Sequence, residues 1–238
     1  APVNQLISNL LTPMMIFGAM CQKEFDIIAN LALIAAGTWV IFGSVLIGYL
    51  VARTLGFSVK TFVPAMMFNN CGNMGLPLAL FAFGQVGFAQ FAILFVLCNM
   101  LFFSIGAWII SGGKASLRLF KTPIMAAMLA GVIVSLLHVP IPLPMQQALS
   151  LLSNACIVMM MLSLGARLID IEFKEAKIGL IGGVVCPLSS LLFAVILLHF
   201  RFIPVDAAQM STVLLFASLP PGVFAYILAD AYNQQPSK

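Results

Sequence analysis

The stretch Phe68-Asn69-Asn70-Cys71-Gly72-Asn73-Met74-Gly75-Leu76-Pro77 sets three amides, two glycines and a proline in the middle of an apolar run. That run, about residues 61–83, is long enough to cross a bilayer, which takes about 20 residues. Its centre is not expected to remain an ordinary helix. Pro77 has no backbone donor and its ring collides with the preceding turn, while Gly72 and Gly75 loosen the helix just upstream. The carbonyls and amides released by such a break need partners. Within a membrane, irregular backbone persists only where protein buries it or where it lines a watery cavity. The stretch therefore reads as a binding site in a broken helix. The plainer alternative is a proline kink whose amides bond neighbouring helices.

The rest of the composition agrees with a membrane setting. Of 238 residues, 62% are hydrophobic and 8% charged, and the mean hydropathy is +1.13, well beyond an ordinary globular domain. The first residues, Ala1-Pro2-Val3, lack a basic region followed by a short apolar core, so no signal peptide is expected there. Cys21, Cys71, Cys98, Cys156 and Cys186 are scattered without metal-ligand or redox-pair spacing and read as free thiols. The net charge of +4 comes with no basic cluster interleaved with aromatics, so no nucleic-acid partner is expected.

Eight apolar segments follow one another at about 4–20, 27–52, 61–83, 89–110, 123–138, 145–166, 178–200 and 207–229. Their lengths specify helices, because barrel strands would be about ten residues long and strictly alternating. The fold class is all-α, polytopic. Loop by loop, one face collects Arg53, Lys60, Lys114, Arg118, Lys121, Arg167, Lys174, Lys177 and Lys238, while the other has only Lys23 and Arg201. The richer face is expected to be cytoplasmic, in a multi-pass protein of the cell inner membrane.

A second proline-broken segment lies in the last apolar run, at Ala217-Ser218-Leu219-Pro220-Pro221-Gly222. Pro77 and Pro220 are 143 residues apart, and that offset carries the first two segments close to the sixth and seventh. Equivalent helices then cross in opposite directions, which is an inverted repeat. The division expected is 1–114 for the first repeat and 115–238 for the second. The offset also carries the fourth segment beyond Lys238 and the fifth before Ala1, so the expected parent architecture is two five-helix repeats with this sequence giving the middle eight of ten helices.

The Asn70-x-Gly72-x-x-Gly75-x-Pro77 spacing, the later Leu219-Pro220 followed by Ala225-Tyr226-Ile227-Leu228-Ala229 and Tyr232, and the early Leu11-Thr12-Pro13 resemble the auxin efflux carrier family of membrane transporters. The resemblance implies an X-shaped crossing of two broken helices, a stationary scaffold and a mobile, elevator-like transport domain. It also implies organic anion substrates such as auxins or malate-like carboxylates. On this chain the scaffold would be about 4–20, 123–138 and 145–166, with any homodimer contact, and the transport domain about 27–110 and 178–232. Phe224 departs from the polar residue that many relatives carry after the second proline, so substrate identity does not carry over. Sodium-coupled bile-acid-type symporters share the inverted-repeat logic, but their polar sodium-site motifs are not evident here.

Catalysis finds little support. Glu24, Asp26, Asp170, Glu172, Glu175, Asp206 and Asp230 all fall in or beside loops, so no paired carboxylates stand ready inside the membrane for acid-base work or a metal. His138 and His199 sit at segment ends and read as interfacial. An intramembrane enzyme would need residues gathered only by folding; a passive channel or receptor would leave the repeat unused. Asp230, the one acid close to a break, is the coupling candidate, with an exposed helix-end role as its alternative. Carbonyls freed at Pro77 and Pro220 are an equal argument for Na⁺, so Na⁺ and H⁺ coupling both stay open and no cofactor is called for.

None of the 11 basic residues lies deep in an apolar segment, so an anion must be held without a fixed positive side chain. Half-helices beginning after the breaks supply positive potential, since each N-terminal end resembles about half a positive charge. Pro77 and Pro220 are expected to mark those starts. Asn70 and Asn73, three residues apart on the preceding half, would share one face if that turn stays helical, and Asn69 is expected to face elsewhere. The candidate substrate site is thus Asn70, Cys71, Gly72, Asn73, Met74, Gly75 and Pro77 with Leu219, Pro220, Pro221, Gly222 and Phe224.

Overall fold

The computed structural model describes residues 5–21, 29–110, 122–137, 139–167 and 176–222. Helix dominates, and among these residues the one β-type pairing is an isolated antiparallel bridge between Asn69 and Pro221. The protein is an all-helical, polytopic membrane protein. By length and composition, Leu31–Leu55, Cys71–Gly106, Leu143–Ser163 and Gly179–Phe200 are long and apolar enough to cross a bilayer. Ile7–Met20, Pro123–Leu136 and Ala207–Ser218 are shorter apolar helices.

Helix α1 opens with a π turn, Ile7–Leu11, and continues as Thr12–Met20. α2 is Leu31–Leu55 and α3 is Val59–Met67. After a three-residue break comes a second π turn, Cys71–Gly75, running into α4, Leu76–Leu101. A third π turn, Phe102–Gly106, leads to α5, Ala107–Ile110. Then follow α6 (Pro123–Leu136), α7 (Leu143–Arg167), α8 (Ala176–Phe200) and α9 (Ala207–Ser218).

Two of the π turns have the same cause. Pro13 and Pro77 each stand two residues after one, and a proline ring collides with the carbonyl four residues back, here Asn9 and Asn73. Widening the turn moves that carbonyl aside, and in α1 the Thr12 N–H reaches back to Ile7 O. Gly84 explains the length of α4. With φ 66° it sits where L side chains are strained, so the segment bends there into two helices, the third and fourth segments of the sequence joined end to end. Starts are set by caps. Asp206 accepts from the Gln209 N–H at 2.7 Å while the Gln209 side chain accepts from the Asp206 N–H at 3.2 Å, opening α9. Thr122 caps α6 ahead of Pro123, a residue suited to a first helical position.

The chain divides into two compact units. One contains Ala1–Leu31, Gly72–Val96 and Leu117–Ile171. In it α1 packs against both α6 and α7, and Thr12 Oγ1 lies 3.8 Å from Cys156 Sγ. The other contains Ala32–Cys71, Leu97–Ser116 and Glu172–Lys238. Here α2 seats on α8 through a buried Ser44–Ser189 hydroxyl pair at 2.9 Å and a bond from Trp39 Nε1 to Phe193 O at 3.0 Å. Ala52, Phe62, Met66 and Cys186 form a buried apolar cluster in the same unit. The Thr12–Cys156 and Ser44–Ser189 pairs are separated by 144 and 145 residues, near the 143 expected between repeat equivalents.

Candidate functional site

The first helix is indeed interrupted, but not where its proline predicts. α3 ends at Met67, Phe68 has left the helix at φ −116°, ψ 86°, and helical geometry resumes at Cys71. Pro77 is buried inside the second half, one residue past the start of α4, and does not mark its beginning. The physical reason lies in the π turn, which absorbs the proline clash and leaves the break to the amides upstream. At the second interruption α9 ends at Ser218, and Leu219, preceding a proline, is extended at φ −75°, ψ 141°. Pro220 does not begin the next half as expected, because residues 220–222 are non-helical and Pro221 is taken up in the bridge to Asn69. Phe224 and Asp230 lie outside the described residues.

The two breaks meet. Asn70 N–H donates to Pro220 O at 2.8 Å, and Gly222 N–H donates to Phe68 O, flanking the Asn69–Pro221 bridge. Backbone groups orphaned by each break thus satisfy the other, which lipid could not do. Gly222 is required by this approach. A Cβ there would come 2.4 Å from the Phe68 ring and 3.0 Å from Phe68 O.

Asn69 is the knot's side-chain tie, contrary to the expectation that it faces elsewhere. It is 2% exposed; its Nδ2 donates to Phe216 O at 2.9 Å, and its Oδ1 accepts from the Cys186 thiol at 3.3 Å. Phe216 O lies in the last turn of α9, where it also takes the Leu219 N–H at 3.4 Å, so the amide completes the cap of that helix. A second thiol does the same for α3, Cys98 Sγ donating to Met67 O at 3.2 Å. These cysteines were not legible as site residues, since nothing in their sequence spacing links residues 98 or 186 to the break.

Asn70 and Asn73 differ from Asn69. Neither side-chain amide makes a hydrogen bond among the described residues, although Asn70 is buried and Asn73 half-buried. They do not sit on one face of a preceding half-helix: Asn70 is in the break and Asn73 in the π turn that begins the second half. Cys71, Gly75 and Pro77 are buried, Gly72 and Met74 half-buried. On the other break Leu219 and Gly222 are buried and Pro220 and Pro221 half-buried. Among the described residues no group of three or more His, Cys, Asp or Glu is placed to hold a metal ion.

No curated protein matches the chain. A family model described as membrane transport protein matches residues 108–238, more than half of the chain and including the second break. With helices long enough to span a bilayer and a broken-helix motif of the expected kind, the chain belongs to that membrane transport protein family, the auxin efflux carrier family.

Proposed function

We propose that this protein is a secondary carrier for a small organic anion, such as a carboxylate or an auxin-like acid, bound where the two broken helices cross. The observation that carries the reading is the pairing of both breaks at the Asn69–Pro221 bridge, deep in an apolar protein. A crossing held by its own backbone leaves the Asn70 and Asn73 amides uncommitted among the described residues. The half-helix beginning at Cys71 contributes the first-turn N–H groups after Cys71, whose own N–H is taken by Asn69 O. Amide donors and a helix N-terminus suit an anion. On this reading α1, with α6 and α7 packed against it, forms the stationary scaffold, and transport proceeds by alternating access. The membrane is the cell inner membrane, with the lysine- and arginine-rich loops cytoplasmic.

Reconstitution into liposomes tests the proposal. Labelled malate and indole-3-acetate, offered separately with and without Na⁺, are expected to give saturable uptake of at least one anion that Asn70→Ala and Asn73→Ala both suppress. Uptake of an organic cation in preference to either anion, or anion uptake untouched by both variants, overturns it.

A further inference from the structure

Among the described residues a hydrogen-bonded path runs through the crossing that neither the sequence motifs nor the family picks out. Asn69 Nδ2 donates to Phe216 O at 2.9 Å, and Cys186 Sγ donates to Asn69 Oδ1 at 3.3 Å. From the same cysteine, the backbone carbonyl accepts from Ser189 Oγ at 3.0 Å. Ser189 Oγ in turn pairs with Ser44 Oγ at 2.9 Å, a contact in which either hydroxyl can donate. The path runs from the end of α9, through the first break, along α8 and into α2. Cys186 is its junction, bonded through its side chain on one side and its carbonyl on the other. Its sulfur also faces Leu219 O at 4.0 Å, so one fully buried side chain touches the first break and the second.

We propose that Cys186 is a positioning residue for transport: through Asn69 it holds the two breaks in register and so places the neighbouring Asn70. This rests on the crossing being the substrate site. The residue type matters. A thiol is a weak donor that behaves as a small hydrophobe when unpaired, so releasing it costs less than releasing a buried hydroxyl. It ties the crossing without freezing it. Leu, Val or Met would fill the space and leave Asn69 Oδ1 buried with no donor.

The test uses the full chain in lipid nanodiscs and reads amide hydrogen exchange at Asn70 and Gly222, whose N–H groups make the bridge. Cys186→Ala is expected to speed exchange at both by about 2- to 12-fold, the ratio that loss of one ordinary intramolecular hydrogen bond gives. Amides of α1 and α6 should keep their rates. Cys186→Ser should restore protection at Asn70 and Gly222. In liposomes, Cys186→Ala should raise the half-saturating concentration of labelled malate or indole-3-acetate by a similar factor with the maximal rate unchanged, again rescued by Cys186→Ser. Unchanged exchange in Cys186→Ala overturns the proposal, as does a loss of protection spread equally over α1 and α6 or one that serine does not reverse. If neither anion is carried, the functional reading fails while the exchange measurement still decides the role of Cys186.

Discussion

Three asparagines within five residues hold different assignments, and substitution should separate them. Asn69 supports the crossing through two buried bonds, so Asn69→Ala should destabilise the protein by about 1–3 kcal/mol, seen as a lower midpoint in thermal unfolding of the detergent-purified protein. Asn70 and Asn73 carry no such bonds among the described residues. Asn70→Ala and Asn73→Ala should leave that midpoint in place and weaken anion binding by about 1.5–3 kcal/mol, or about 10- to 150-fold by isothermal titration. Unimpaired affinity in both would remove the amides from the site. At the far end of α8, Arg201 has a φ of 50°, the conformation of a helix C-terminal glycine, and its N–H bonds Leu197 O at 2.8 Å. Arg201→Gly should relieve about 1 kcal/mol of backbone strain and raise the unfolding midpoint; a fall would show that the arginine side chain contributes more than its backbone costs.

At the scale of elements, a proline and a helix break turn out to be separable. The sequence locates the broken helix correctly because apolar length, amides and Pro77 coincide there, yet places the break about seven residues late. Proline's clash can be absorbed by widening a turn, and no single-sequence signal distinguishes a π turn from a full interruption; Pro13 in α1 shows the same accommodation with no break at all. The end of the helix before the second break is legible, since Pro220 and Pro221 lack N–H donors and Pro220 disfavours helical geometry at Leu219, whereas the half-helix expected to start at Pro220 does not start there. The thiol bonds, Cys98 to the Met67 carbonyl and Cys186 to the Asn69 side chain, are invisible because they join residues 31 and 117 apart. Two substitutions test these elements. Pro77→Ala should let the π turn tighten and the Asn73 carbonyl rejoin a regular helix, giving slower amide exchange over Cys71–Gly75 together with weaker anion binding. Gly222→Ala should cost about 1–3 kcal/mol, because a methyl cannot fit against Phe68 without moving the bridge.

For the whole molecule, α7 poses a question of solvent. Among the four candidate spans it is both the least apolar and the least buried, and Gln147, Ser150 and Asn154 lie exposed along it. Hydrocarbon is a poor partner for such side chains, whereas a second copy of the same helix offers amides and hydroxyls. Asn154→Cys is therefore expected to form a disulfide-linked dimer on oxidation in native membranes, with Leu180→Cys on α8 as an exposed control that does not; monomer alone in both would exclude a homodimer through α7. The bridge between the breaks has a further property. Exchanging residues 68–70 with 220–222 turns each of its two hydrogen bonds into the other, so the joint possesses a local two-fold axis. A joint of that kind has no preferred side. On the alternating-access reading proposed above, exchanging the roles of the two halves maps the joint onto itself, so both bonds are expected to persist in either state.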